Sequence, residues 1–338
     1  MKNNKNFIRT FIIVLVAGVT FSCDKYLEED LRDALSPSTF YNNDNEATIA
    51  VNGGYALLTG AQGMRSRNWT QMWQMGTDES SSNRGVYKEG HNYTYTEGVR
   101  DGEDFWNLMY EIVRNTSGAL PKIEGNSNLS QTVIDQSVGQ LLVIRALAYY
   151  NLTRMWGDVP FFTELLEPKE LATLKRTPYS TVTTAMKSDL QRAYGLLPDS
   201  YSGSGNEGRF TKWAAMALKA KFHMFDREWS DMKAACVDII NNSPHKLMDN
   251  FENVYNWRNY SPSTSMNSEQ ILWIDFAGVS GNGVVVSPLS RSNSLYEEFN
   301  PRLRDEPKSK SEKAALQAAL AANGDAMTGY GGRVPKPD

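Results

Sequence analysis

The stretch RALAYYNLTRMWGDVPFF occupies residues 145–162 and decides the fold. Its first twelve residues hold neither Gly nor Pro, and Gly157 with Pro160 then stops the helix they form. Extended back towards Ser130, a residue type that caps helices, the run places Ile134, Val138, Leu141, Leu142, Tyr149, Leu152 and Met155 on one apolar stripe. The spacing predicts one long helix between Ser130 and Gly157.

Working outward, the same period recurs on both sides. Before it, DFWNLMYEIVRNTSGAL puts Phe105, Leu108, Met109, Ile112, Val113, Thr116 and Leu120 on one face. Further upstream, Asn42 to Leu58 has polar cap candidates, with Ala47, Val51, Tyr55 and Leu58 at helical spacing and Gly53 and Gly54 weakening it. Residues 60–103 lack a period, are rich in Gly, Ser, Asn, Arg and Tyr, and read as a long loop region of the kind that carries function. Downstream, Thr177-Pro178 opens a helix with Val182, Met186, Leu190 and Ala193 inward, closed by Pro198. Thr211 caps the next, with Ala214, Ala217, Leu218, Phe222 and Phe225 inward. Glu228 to Asn241 follows, with Trp229, Met232, Cys236 and Ile239 on one face, and EQILWIDF (269–276) is the one predicted strand.

The expected architecture is therefore mainly α: antiparallel helix pairs in sequence, with long irregular loops and few short strands. FDREWSDMKAACVDIINNSP (225–244) resembles the second half of a tetratricopeptide repeat. No strict repeat of about 34 residues runs through the chain, so the expectation is tetratricopeptide-like packing without a regular array.

The N-terminus reads differently. Lys2, Lys5 and Arg9 precede an apolar run from Phe11 to Phe21 that is too short to span a bilayer, which takes roughly 20 residues. The run ends at Ser22-Cys23. A small residue before cysteine resembles a bacterial lipobox, which makes residues 1–22 a signal peptide, Cys23 the acylated N-terminus and residues 23–38 a tether. Removing those three basic residues from the 35 Lys and Arg leaves 32 against 39 Asp and Glu, a charge of about −7. That balance argues against nucleic acid, which rests on basic surface. Cys236 is the one further cysteine, so no disulfide framework is expected, and His91, His223 and His245 lack metal-ligand spacing. No cofactor is expected.

Local motifs add little chemistry. GSGNEG (203–208) spells a dinucleotide fingerprint, but it follows a helix ended by LLPDS rather than a strand and reads as a linker. Asp78-Glu79 and the acidic pair in Gly102-Glu103-Asp104 could form a glycosidase dyad only at a set spatial separation, and no second signal supports catalysis. The 8 Trp and 16 Tyr are more telling, because a ring with a polar edge suits the apolar face of a sugar.

Five blocks in register carry a resemblance to one family. RALAYYNLTRMWGDVPFF is similar to the signature helix of the SusD/RagB proteins, and GRFTKWAAMALKAKFHMFDREWSDMKAACVDII to their later helix pair. The start CDKYLEEDL…SPSTFYNNDNEATIAVNGGY, then TDES with FWNLMYEIVRN, and SEQILWIDF match further blocks, so the resemblance covers about residues 1–277. It implies a SusD-like helical domain over 39–300, with an atypical tail at 301–338 where no family block is found. It also implies a non-enzymatic lipoprotein of the outer membrane that binds a nutrient glycan and works with a SusC-like TonB-dependent transporter. The ligand contacts it implies lie after the Asp-Glu block, at Asp78, Arg84, Tyr87, Tyr93 and Tyr95, with Trp69 and Trp73 just before, and again at Trp257 and Tyr260. It implies scaffold roles for Arg145 and Trp156. Trp106 and Trp213 are expected in the core.

Overall fold

The computed structural model describes residues 40–59, 73, 77–78, 80–82, 92–94, 100–202, 206, 208–251, 268–272 and 333–335. The chain divides into two compact units, Met1–Asn42 and Asn43–Asp338, and the helices belong to the second. Cys23, the signal and tether, and most of the tail lie outside the described residues.

Seven helices are described: α1 Asp44–Thr59, α2 Arg100–Ile123, α3 Gln131–Trp156, α4 Pro168–Thr173, α5 Tyr179–Leu196, α6 Lys212–Phe225 and α7 Trp229–Asn242. They pack as sequential pairs: α1 lies on α2 and α3, α2 on α3, α3 on α5, α5 on α6, and α6 on α7. Two short ladders complete the set. β2 (Val159–Pro160) pairs antiparallel with β3 (Arg176–Thr177), and β1 (Ser80–Ser82) pairs antiparallel with β4 (Arg333–Pro335).

α3 is the hub. Every residue from Ser137 to Thr153 is buried, so the predicted stripe is in fact an all-round core helix walled in by α1, α2, α5 and α6. Its polar residues keep partners inside. Gln140 Oε1 accepts from the Tyr55 hydroxyl at 3.0 Å and from Arg209 Nη1 at 3.2 Å, and the Thr153 hydroxyl donates to the Tyr149 carbonyl at 2.7 Å. The closest approach is at Gly139, where a Cβ would sit 2.6 Å from Leu197 Cγ, so α3 meets the end of α5 through bare backbone. Around this hub the predicted inward faces of α2 and α5 are buried at every named position.

Several expectations are corrected. α2 begins at Arg100, a turn earlier than the apolar face implied, and this places Glu103 at the end of its first turn, where a carboxylate is favoured by the positive end of the helix dipole. Ser130 and Thr211 occupy cap positions without side-chain cap bonds; the Ser130 backbone N–H instead donates to Asp44 Oδ1 at 2.8 Å. Trp229 is 58% exposed and Phe225 40%, because no element among the described residues closes over the outer end of α6 and α7. Trp213 is core, whereas Trp106 is only half-buried. Residues 269–272 of the predicted strand form a turn whose bonds go to the loop at 246–248: Met248 N–H donates to Glu269 Oε1 at 2.7 Å and Lys246 N–H to the Ser268 carbonyl at 3.1 Å. Residues 273–276 lie outside the described residues.

Candidate functional site

The turn after α3 is held by side chains from two helices. Gly157 adopts φ +67°, a conformation that favours glycine, and this swings Asp158 to Phe162 back over the bundle. There the Tyr149 hydroxyl donates to the Phe162 carbonyl at 2.8 Å and accepts its N–H at 3.0 Å. The Tyr110 hydroxyl donates to the Pro160 carbonyl at 2.7 Å. Burial pushes both phenols well above their ordinary pKa, so they stay neutral donors. Arg145, almost fully buried, donates Nη1 to the Thr163 carbonyl at 3.0 Å and Nη2 to Asp189 Oδ2 at 2.7 Å, tying the turn to α5. The scaffold role expected of Arg145 is what the structure shows. Trp156 likewise stacks on Phe105 at 6.2 Å and meets Trp106 edge-on at 5.0 Å.

The fastened turn walls a cavity of about 460 Å³ against α2. Its floor is aromatic: Trp106 and Tyr110 are 4.8 Å apart, and Tyr110 and Phe162 lie near-parallel at 6.1 Å. Leu165, Leu166, Leu171 and Leu174 form one side, while Asn107, Glu111 and Arg114 form a polar ridge on the other. The volume suits a small ligand or a few side chains of a partner. The sequence signal for this cavity is the i, i+4 pair Trp106 and Tyr110, of which Trp106 is expected in the core and Tyr110 carries no expectation. The short α4 that supplies Leu171 and follows Glu167, whose N–H donates to Glu170 Oε2 at 2.8 Å, was missed.

A second aromatic cluster surrounds Arg154, in the last turn of α3. Its guanidinium lies over Phe225 at 3.9 Å, Trp73 at 4.4 Å and Tyr150 at 4.8 Å from the ring centroids, and Nη1 donates to the Tyr150 hydroxyl at 2.7 Å. Beyond it Lys187 Nζ bridges Asp226 at 2.7 Å and Glu228 at 2.7 Å, Tyr179 donates to Asp226 at 2.7 Å, and His223 Nδ1 is 2.5 Å from Glu228. His223, Glu228 and Asp231 place ligand atoms within 4.8 Å of one another, yet the Lys187 ammonium already contacts both oxygens of Glu228. The group is an ion-paired brace between α5, α6 and α7.

Of the sequence-predicted contacts, Asp78 is exposed in a turn and Tyr93 is 74% exposed with φ +55°. Trp73 is half-buried against Arg154. Trp69, Arg84, Tyr87, Tyr95, Trp257 and Tyr260 lie outside the described residues.

Comparison with known proteins agrees with this architecture. Residues 25–224 match the SusD-like_3 family, described as starch-binding and associating with the outer membrane. SusD-like protein P25 of Formosa agariphila is 35% identical across 97% of this chain and 64% of its own length, and P38 of the same organism is 24% identical across 74% and 48%. The chain thus spans about half to two thirds of these curated relatives. Among solved structures, a laminarin binding SusD-like protein superposes with a TM-score of 0.65 at 22% identity, covering 88% of this chain and 70% of that one. A SusD superfamily protein from Bacteroides vulgatus gives 0.61 at 19%, covering 69% and 50%. With the family profile matched over more than half its length, and the helix pairs and Gly157 turn in place, the chain belongs to the SusD-like family.

Proposed function

We propose that this chain captures a nutrient glycan at the outer-membrane surface and passes it to a TonB-dependent transporter of the SusC type, held to the membrane by acylation at Cys23. It works by binding, not catalysis. The observation that carries the reading is the match of residues 25–224 to a family described as starch-binding and associating with the outer membrane. The likeness to a laminarin binding protein and the exposed Tyr93 and Asp78 support it. So does the short apolar run ending at Ser22-Cys23, together with the finding that no helix of the described residues is long and apolar enough to cross a membrane.

A second reading, a peptide-binding scaffold, is favoured by one observation. The cavity on α2 has a leucine side on which Leu165 is 56% and Leu171 43% exposed, a surface that suits apolar side chains better than hydroxyls. The soluble form lacking residues 1–23, applied to a glycan array and a peptide array, separates the two. Retention of at least one oligosaccharide, with no peptide preference, is the expected result. Peptide binding alone overturns the glycan reading.

A further inference from the structure

Arg154 is half-buried and is surrounded differently from Lys187 and Arg145. Lys187 and Arg145 are matched by carboxylates, whereas Arg154 has no carboxylate ion pair among the described residues, and its Nε is buried without a hydrogen-bond partner. What surrounds it is aromatic: Phe225 from the end of α6, Tyr150 one turn earlier on α3, and Trp73 from the stretch between α1 and α2. The Nη1 bond to the Tyr150 hydroxyl fixes the plane of the guanidinium, so its faces are presented to the rings rather than left to rotate. Tyr150 is itself packed edge-on against Phe222 at 5.1 Å and against Phe225 at 6.1 Å, so the box rests on the α3–α6 core.

Two of the three rings are scaffold, and the third, Trp73, is not. Trp73 lies only five residues before Asp78 and within the stretch that carries the expected ligand contacts from Trp69 to Tyr95. A planar cation gripped on the bundle and stacked on one indole of that stretch is a fixing point for it. We infer that Arg154 is a positioning residue for glycan capture: through its contact with Trp73 it fixes the chain on the helix bundle at that residue, five positions before Asp78, without touching ligand itself. This rests on the glycan-binding reading above, and it assigns Trp73 to anchoring rather than to stacking on sugar.

The test uses the soluble chain with the array-selected oligosaccharide, and four proteins: wild type, Arg154→Met, Trp73→Leu and the double variant. Hydrogen exchange without ligand comes first. Peptides carrying Trp73 should exchange faster in Arg154→Met, while α2 to α7 exchange as in wild type. Calorimetry should then show each single variant binding roughly 2- to 30-fold more weakly, the range that one desolvated cation–ring contact spans. The double variant should bind no more weakly than the weaker single one, because both remove the same contact. Effects that multiply in the double variant overturn the proposal, as does unchanged exchange at Trp73. If Arg154→Met fails to fold, Trp73→Leu alone must raise exchange at its own peptide and weaken binding, or the proposal falls. If wild type binds no glycan while Arg154→Met still frees the Trp73 peptides, the anchor stands and the glycan reading fails.

Discussion

Lys187 carries more of the structure than a single surface lysine does. Burial opposes its charge, but Asp226 and Glu228 outweigh that and raise its pKa. Burial would likewise push Asp226 up, yet the bonds from Lys187 and Tyr179 hold it below its ordinary value; Glu228 is held down by Lys187 first and His223 second. Both carboxylates therefore bind protons less readily in the folded state than in the unfolded one. Their contribution is present above the ordinary carboxylate pKa of about 4 and is lost as the pH falls through the depressed folded values. The raised Lys187 keeps its share until the pH rises through its folded ammonium pKa. Lys187→Met should cost about 2 kcal/mol near neutrality, discounted because Glu228 is 38% exposed. Urea unfolding at about pH 7 and about pH 3 checks this: the gap to wild type should shrink in acid, and an equal gap contradicts it. A second residue-scale prediction concerns Cys23. Labelling with an alkyne fatty acid should mark wild type and leave Cys23→Ala blank, and equal labelling would remove the lipid anchor from the account.

Between elements, the decisive contact is the bare backbone of Gly139 under Leu197. Alanine there should gain about 1 kcal/mol of helix propensity, but its Cβ would overlap a 5%-exposed leucine, and overpacking costs about 1–3 kcal/mol. Gly139→Ala should therefore destabilise by about 1 kcal/mol on balance, and become neutral or stabilising in a Leu197→Ala background. Denaturant unfolding of the four proteins measures it; a stabilised single variant would show that α3 and α5 have slack. The elements were legible where period spoke: Leu108, Ile112 and Leu120 on α2, and Val182, Met186 and Leu190 on α5, are buried as their spacing required. The all-round burial of α3 was not, because a local stripe cannot report how many neighbours will surround it. Nor was the role of Tyr110 and Tyr149, whose hydroxyls act on carbonyls 50 and 13 residues away. The run EQILWIDF resembled a strand, but at its described start the Ser268 carbonyl and the Glu269 side chain bond the loop at 246–248 instead of a ladder.

At the scale of the molecule, the family was legible in five ordered blocks, and the fold followed from it. The ligand site was less so, since aromatic residues in an aperiodic stretch carry no spacing that separates packing from binding; Trp73 proves to be packed on Arg154, while Tyr93 stands exposed. The central claim is that exposed rings of this chain stack on sugar. A ring sharing about 50–80 Å² with a pyranose, at roughly 25 cal/mol per Å², contributes on the order of 1–2 kcal/mol, a factor of about 5–30 in affinity. Two or three such rings give binding in the range of roughly micromolar to millimolar, weak enough for the proposed hand-over to a transporter. The most direct measurement is calorimetric titration of the soluble chain with its array-selected oligosaccharide, for wild type and for Tyr87→Ala, Tyr93→Ala, Tyr95→Ala, Trp257→Ala and Tyr260→Ala. At least one variant should lose about 5- to 30-fold in affinity with its helix content intact; five variants that all bind as wild type does would contradict the account.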